Sequence, residues 1–415
     1  MRKIIWLLSL SVSCLLVQAQ YQDWSTLPAF DCSMKHVMGM LNRNTILLSP
    51  DQSVGLEQYL SDYCGSFGEH CIRKKESECM PADYTHPVLA MGVIRQFRQW
   101  DWLKLPVQRI RNGFSVNGKL FLDSLDGIVW VDSNRILIAG NSLQAVKDAQ
   151  LAFTGGHDLL LVQKGKITYF GNRRDGSFNW FNLQQLKQTN YQRMSSGVFD
   201  KIFVSKHFHD SINLPRIQQD LRQYIRQFLS VYQIPKPSTG VSWLLHANLT
   251  EFGFMSGLFH LTCPGNNSAG FSIRKEIHTN GYNIGLLKHE YSHFLFDYSI
   301  SQDHNPAFFV EGSVEYVTNL NDTALFHQRL ELARRFSDSL DFQTLIVKGQ
   351  DFYGRYSAEN YAMCGVFVKY LMDQYGVSSF KQFCLAADKE KAAVSLFQQN
   401  IEALIGSYKS WLKNQ

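Results

Sequence analysis

One short stretch, residues 286–296, constrains this chain more than any other, because two histidines and a glutamate stand there among large apolar residues. His289 and His293 are four positions apart, so in a helix they share a face and can present two ring nitrogens to one metal ion. Glu290 lies beside them, close to where a metal-bound water would be. Burying these groups among leucine and phenylalanine is costly unless a cation organises them. The stretch therefore predicts a buried helix with a metal site; the alternative is a helix with two core histidines.

A catalytic metal site needs a third protein ligand, and residues 305–316 offer one. Asn305 is a natural N-cap and Pro306 a natural first helical residue, so we predict a second helix that carries Glu311 in its second turn. Seventeen residues separate His293 from Glu311, which is enough to end one helix, turn, and bring the next helix back alongside it. Glu311 is therefore the predicted third ligand.

Glu315 lies one turn beyond Glu311 on the same helix face. From there its carboxylate could accept a hydrogen bond from the ring N–H of a metal-bound histidine, most simply His289, and so orient the ring. The alternative is an ordinary acid on a solvated helix surface, and the sequence favours neither reading.

With these residues the chain resembles the gluzincin zinc metallopeptidases, in particular the peptidase MA-like group, and is more distantly similar to aminopeptidase N relatives. The resemblance rests on His-Glu-Tyr-Ser-His at 289–293 and on Pro-Ala-Phe-Phe-Val-Glu-Gly-Ser-Val-Glu-Tyr at 306–316. It implies that Glu311, the acid of the Glu-Gly pair, is the third ligand of a Zn²⁺ ion. It covers about half of the chain, from roughly 200 to 415.

The resemblance extends to residues 361–376, which are similar to the tyrosine-led helix that ends in Tyr-Gly in these enzymes. It implies that Tyr361 donates a hydrogen bond to the developing oxyanion, with Tyr353 and Tyr356 as neighbouring competitors.

The implied activity is hydrolysis of peptide bonds in a peptide or protein substrate, with Glu290 as general base. Residues 263–274 lack the Gly-x-Met-Glu-Asn element that holds a substrate amine in aminopeptidase N relatives, which favours an endopeptidase. A strand predicted at 270–274 could add an extended substrate by main-chain hydrogen bonds. The alternatives are a non-catalytic zinc-containing binding protein of the same fold and a zinc hydrolase that acts on a different bond.

The composition is that of a packed globular protein, since 45% hydrophobic and 19% charged residues exclude a disordered, collagen-like or coiled-coil chain. The net charge of +5 is small for 415 residues, and no basic run could follow a phosphate backbone, so we expect no nucleic-acid partner. We predict an α+β fold with an N-terminal α+β domain at 20–194 and a gluzincin-like metallopeptidase domain at 195–415. The latter would have a mixed sheet lobe at about 195–282 that leads into the His-Glu-x-x-His helix, and a mostly helical lobe at about 283–415.

Residues 1–19 have the basic start, the apolar stretch and the small-residue end of a secretory signal peptide, with cleavage expected after Ala19. We therefore expect a secreted or periplasmic protein with no integral membrane segment in the mature chain. Cys32, Cys64, Cys71 and Cys79 then favour two disulfides within 32–79 over a zinc cluster, since no C-x-x-C pair occurs. The mature chain has seven cysteines, an odd number, so at least one thiol stays free or pairs between chains, and Cys263 is the candidate.

Local patterns add secondary structure to this outline. We predict helices at 54–63, 88–100 and 142–153, a hairpin at 114–121 with Asn117-Gly118 at its turn, and strands at 127–131, 135–139 and 158–162. The polar stretches 171–177 and 184–192 are the predicted domain boundary. Beyond it we predict strands at 201–204, 241–246 and 270–274, a helix opened by Asn213, and mainly helices from 283. His207 and His209 are a weaker metal candidate, with no further ligand apparent near them.

Overall fold

The computed structural model describes residues 45–52, 55–65, 71–98, 107–132, 134–153, 157–174, 177–195, 197–256, 270–273, 275–300, 306–319, 322–339, 341–348, 352 and 357–415. The expected signal peptide at 1–19 and three of the cysteines, Cys14, Cys32 and Cys263, lie outside these residues. Helices and strands are both abundant, which confirms the predicted α+β class. A search of the described residues for a helix with the length and apolarity needed to cross a membrane found none.

The chain divides into two compact units. The first unit comprises 1–192, 205–207 and 247–268, and the second comprises 193–204, 208–246 and 269–415.

An eight-stranded sheet dominates the first unit, in the order β11-β10-β9-β7-β8-β3-β1-β2. Its strands are β1 Thr45–Ser49, β2 Cys71–Lys75, β3 Val88–Val93, β7 Asp126–Asp132, β8 Arg135–Gly140, β9 Leu159–Gln163, β10 Lys166–Arg174 and β11 Ser177–Asn182. The four strands β2, β1, β3 and β8 run parallel, and the remaining pairs are antiparallel. A separate three-stranded sheet consists of β4 Val107–Ile110, β5 Gly113–Val116 and β6 Lys119–Phe121. The helices of this unit are α1 Glu57–Gly65, α2 Leu143–Ala152, α3 Leu183–Asn190 and α5 Leu249–Ser256.

Helix α2 shows how local sequence and packing agree in this unit. The Ser142 side chain accepts a hydrogen bond from Ala145 N and caps the helix start. Ala145 packs so close to the sheet that a Cβ added at Gly140 would lie 2.6 Å from its Cβ. In the β5–β6 hairpin, Asn117 and Gly118 both have positive φ, which confirms the predicted turn.

One prediction for the first unit is wrong. Residues 88–100 were expected to form a helix, but Val88–Val93 form strand β3 and Ile94–Gln96 a 3₁₀ turn. All six residues of β3 are buried, and a strand covered on both faces shows a continuous apolar run that its periodicity cannot distinguish from a buried helix. The described parts of the expected boundary stretches 171–177 and 184–192 lie in strands and a helix, namely β10, β11, α3 and the following strand β12 Tyr191–Met194. The main division between the two units falls at 192/193, at the end of the second stretch.

Cys64 and Cys71 form a disulfide that joins the end of α1 to the start of β2, with their Cα atoms 5.5 Å apart. One of the two predicted disulfides is thus present. Cys79 is a free, half-buried thiol, so the second predicted disulfide is not formed at Cys79.

A five-stranded sheet opens the second unit, in the order β12-β13-β14-β16-β15. The strands are β12 Tyr191–Met194, β13 Lys201–Ser205, β14 Ser242–His246, β15 Gly270–Ile273 and β16 Glu276–Asn280. Strands β13, β14 and β16 are parallel, whereas β15 runs antiparallel to β16 and lies at the sheet edge among the described residues.

The helices of the second unit are α4 Leu214–Val231, α6 Ile284–Ile300, α7 Ala307–Asn319, α8 Thr323–Phe336, α9 Ser357–Leu385, α10 Lys389–Phe397 and α11 Ile401–Lys413. Asn213 caps α4 through Arg216 N, as its sequence predicts. Helix α9 is interrupted at Gly376, where φ is 77°, so the Tyr-Gly sequence marks a break in the helix axis. Aromatic rings fill the space between α7, α9 and α11, with Phe367 contacting Phe308 and Tyr408 at centroid distances of 5.6 and 4.9 Å.

A buried lysine closes the end of α9. Lys389 is 5% exposed, and its ammonium donates to the carbonyls of Phe383, Cys384 and Ala386 at 3.1, 2.9 and 2.7 Å. The Phe383 carbonyl also accepts from Ala386 N at 3.3 Å. The ammonium thus supplies a charged donor to carbonyls at the helix end, where the regular helical donors run out.

We expect Lys389→Met to lower the free energy of unfolding by about 2–4 kcal/mol, because three carbonyls lose a charged donor. Urea unfolding followed by circular dichroism measures this change. Lys391→Met is the matched control: that side chain is 88% exposed, and its loss should cost less than about 0.5 kcal/mol. Equal effects of the two substitutions would contradict the capping role.

Candidate metal centre

Helix α6 carries the two histidines of the motif. Asn283 caps it, since its side chain accepts from Leu286 N at 3.1 Å and its carbonyl accepts from Leu287 N at 3.0 Å. The helix places His289 and His293 on one face, with their ring centroids 4.9 Å apart. The predicted pair of imidazoles on one helix face is therefore formed.

Helix α7 carries Glu311 and is the next helix along the chain after α6. The Pro306 carbonyl accepts from Phe309 N at 3.0 Å, so the helix begins directly after the proline. Asn305, the expected N-cap, lies outside the described residues. Glu311 is only 5% exposed, in the second turn of the helix.

Two buried tyrosines, Tyr224 in α4 and Tyr232 directly after it, hydrogen-bond to α6 and α7 and hold them in place. The Tyr224 hydroxyl lies 2.6 Å from Ser292 Oγ and 3.1 Å from Thr318 Oγ1, so one side chain bridges both helices. Burial raises the pKa of this hydroxyl to about 12, so it stays protonated and able to donate. Tyr232 adds a bond from its hydroxyl to the Ser313 carbonyl at 2.8 Å.

The three predicted ligands meet at one point. Nε2 of His289 lies 3.2 Å from Nε2 of His293 and 3.3 Å from Oε2 of Glu311, and the third separation, between His293 and Glu311, is 3.4 Å. A tetrahedral zinc ion with bonds of roughly 2.0–2.1 Å requires ligand atoms about 3.3 Å apart. The triangle of donors thus has the size of one face of a zinc tetrahedron. Among the described residues, no other group of three His, Cys, Asp or Glu side chains could hold a metal ion.

Glu315 lies behind this triangle. It is 7% exposed, and its Oε1 lies 3.5 Å from Nδ1 of His289, the ring nitrogen that faces away from the other ligands. Its other oxygen accepts from Asn319 Nδ2 at 3.0 Å and lies 3.1 Å from Arg329 Nη2. The structure therefore places Glu315 beside His289 and away from solvent.

The electrostatics of the centre favour positive charge. Burial lowers the pKa of His289, but the facing carboxylates of Glu311 and Glu315 raise it by more, so it lies well above its usual value. Burial acts to raise the pKa of Glu311, yet His293 and His289 outweigh it and hold this pKa well below its usual value. The carboxylates are thus arranged to stabilise a cation at the point where the ring nitrogens meet.

Glu290 lies next to the donor triangle and next to the sheet. It is 5% exposed, and burial raises the pKa of its carboxyl. Strand β15 passes so close that a Cβ added at Gly270 would lie 3.1 Å from Glu290 Cγ. The edge strand and the glutamate therefore share one side of the centre.

Tyr361 lies in the first turns of α9, and its ring centroid is 6.3 Å from that of His289. Phe352 packs against the same tyrosine with centroids 5.1 Å apart. The competing Tyr353 and Tyr356 lie outside the described residues.

Two glycines allow α7 and α9 to approach closely enough for this arrangement. A Cβ added at Gly312 would lie 2.6 Å from the Cys364 carbonyl oxygen, and one added at Gly365 would lie 2.9 Å from Glu315 Cβ. The glycine after Glu311 is therefore required by backbone contact with the helix that carries Tyr361.

Sequence reasoning missed Asn319 and Arg329. Asn319 stands four residues after Glu315, a spacing that brings two side chains together on one helix face, so the pattern could have revealed it. Arg329 comes from α8, and only the tertiary packing brings it to Glu315.

The weaker candidates His207 and His209 contribute nothing to the centre. His207 belongs to the first unit, where its Nδ1 lies 2.8 Å from Oε1 of the buried Glu251. His209 is exposed.

Comparisons with protein-family models and with curated proteins found no match to this chain.

We expect Gly312→Ala to destabilise the second unit by about 1–3 kcal/mol or more, because the new methyl group meets backbone that cannot move aside. Thermal unfolding measures it. Gly406→Ala in α11 is the matched control: nothing lies within 4 Å of its added Cβ, so the same substitution should stabilise by about 0.5–1 kcal/mol. A stabilised Gly312→Ala protein would contradict the close helix contact.

Proposed function

We propose that this chain is an exported zinc-dependent peptidase whose metal is held by His289, His293 and Glu311. The observation that carries the proposal is the donor triangle, whose sides of 3.2, 3.3 and 3.4 Å fit tetrahedral zinc. Three protein ligands leave one position for water or substrate, as in catalytic zinc sites. The expected signal peptide at 1–19 supports export, and the resemblance to gluzincins supports the choice of peptide bonds.

The position of Glu290 suits proton transfer. A zinc ion in this site would supply Lewis acidity, which polarises the scissile carbonyl and makes a water molecule more acidic. Glu290 follows the proposed ligand His289 in sequence and is only 5% exposed, so its carboxylate is held beside the centre and away from bulk water, where a general base must lie. We assign it the removal of a proton from the attacking water and the return of that proton to the leaving amine.

The ring of Tyr361 lies beside that of His289, which suits a hydrogen-bond donor to the oxygen that becomes negative during the reaction. The packing of Phe352 against Tyr361 would keep its ring in place for this role. We therefore retain Tyr361 as the proposed oxyanion donor.

We assign strand β15 the binding of an extended substrate. It pairs with β16 on one side, it carries neither charge nor proline, and it passes beside Glu290. A peptide that adds to this edge by main-chain hydrogen bonds would lie alongside the centre regardless of its side chains. An endopeptidase needs this kind of recognition, because it binds chain on both sides of the scissile bond.

The metal assignment predicts about one zinc ion per purified chain. His293→Ala and Glu311→Ala should each lose most of the metal, because two remaining ligands hold zinc weakly. Elemental analysis after dialysis measures the content, and His207→Ala is the matched control, which should keep the ion. Tight zinc binding by Glu311→Ala would remove Glu311 from the ligand set.

Some substitutions should lower turnover without lowering the zinc content. Glu290→Gln cannot accept the proton, so we expect turnover to fall by about 10²- to 10⁴-fold with zinc content unchanged. Tyr361→Phe removes only a hydroxyl and should cost about 10²- to 10³-fold. Cleavage of a peptide library with and without chelator supplies the assay, and Tyr370→Phe in the same helix is the control.

The outcomes of these assays distinguish the proposed mechanism from the alternative functions. Full activity of Glu290→Gln would overturn the peptidase mechanism, whereas full activity of Tyr361→Phe would move only the oxyanion role. A zinc-loaded wild-type protein that cleaves no peptide in the library would favour a zinc-containing binding protein or a hydrolase for another bond.

A further inference from the structure

Helix α8 contributes no metal ligand, yet one of its side chains reaches the centre. The Arg329 guanidinium lies 3.1 Å from Oε2 of Glu315, and its side chain is 26% exposed. Its Nε is buried, without a hydrogen-bond partner among the described residues. The cationic group is therefore turned inward, toward Glu315.

The two oxygens of Glu315 have different neighbours. Oε2 is held by Arg329 and by Asn319, whereas Oε1 lies 3.5 Å from Nδ1 of His289. With one oxygen held from two helices, the carboxylate cannot rotate about its bond without losing a charged partner. The oxygen that faces His289 is thereby kept in place.

This placement decides how His289 presents its other nitrogen. A carboxylate at Nδ1 favours the tautomer with hydrogen on Nδ1, which leaves the Nε2 lone pair for a metal. It also limits rotation of the ring. Arg329 would therefore influence the metal without touching it or its ligands.

The balance of charge in the centre also supports a role for Arg329. The centre contains three buried carboxylates, Glu290, Glu311 and Glu315, each 5–7% exposed. A divalent metal ion and Arg329 together supply three positive charges, so the ionised groups balance. Without Arg329 one carboxylate would be buried without compensation, and Glu315 would be drawn toward the metal and away from its place behind His289.

We propose that Arg329 is a positioning residue for the metal centre, which it serves by holding Glu315 against His289. The inference rests on the proposed zinc site. A purely structural ion pair between α7 and α8 would affect unfolding but would leave the zinc affinity of the folded protein unchanged.

The test measures zinc dissociation constants of the folded, full-length protein by competition with a chromophoric chelator. Arg329→Gln should bind zinc about 10- to 100-fold more weakly. Arg329→Lys keeps the charge but loses the planar fork, so its loss should be smaller, about three- to tenfold. Arg335→Gln is the matched control, since this arginine is exposed on the same helix and should bind like wild type.

A double-mutant cycle then asks whether Arg329 acts through Glu315. In the Glu315→Gln background the additional Arg329→Gln change should have little effect, because the carboxylate that it holds is already gone. The visible spectrum of the Co²⁺-substituted protein gives a second measure, and it should shift in Arg329→Gln but not in Arg335→Gln.

Wild-type zinc affinity in Arg329→Gln would overturn the inference and leave the zinc site intact. An equal loss in both backgrounds of the cycle would overturn the role of Glu315 as intermediary. If Arg329→Gln fails to fold, wild-type affinity in Arg329→Lys overturns the proposal. A wild-type protein that binds no zinc would overturn the proposed function together with this inference.

Discussion

Two imidazoles and a carboxylate converge in the interior of the second unit at separations of 3.2–3.4 Å, and this convergence needs positive charge to be favourable. The surrounding structure is arranged to meet that requirement. Helix α7 places Glu311 beside the two histidines of α6. Tyr224 of α4 contacts both helices. Glu315 lies beside His289 with one carboxylate oxygen and pairs with the cationic Arg329 through the other.

The close approach of α7 and α9 also positions the centre. Gly312 and Gly365 let the two helix backbones come nearer than side chains would allow, and the ring centroid of Tyr361 in α9 lies 6.3 Å from that of His289. A glycine inside a helix costs about 0.5–1 kcal/mol of intrinsic stability. The aromatic packing of Phe308, Phe367 and Tyr408 supplies apolar burial that offsets this cost.

The ligand positions followed from the sequence because they depend on local rules. Four-residue spacing placed His289 and His293 on one helix face, and Pro306 marked the start of the next helix. Arg329 could not be found in this way, since its pairing with Glu315 depends on how α8 folds back on α7. The failed helix at 88–100 has a related cause: burial on both faces removes the periodicity that separates a strand from a helix. In both cases tertiary burial, which the sequence does not display, decided the outcome.

The edge strand β15 has a consequence for the protein as a solute. Proteins usually protect sheet edges with lysine, proline or a bulge, because an open edge recruits strands from other molecules. The sequence of β15, Gly-Phe-Ser-Ile, contains neither lysine nor proline, and the strand pairs with β16. If self-association of this protein uses β15, a short extended peptide that pairs with this strand should reduce it in concentrated solutions.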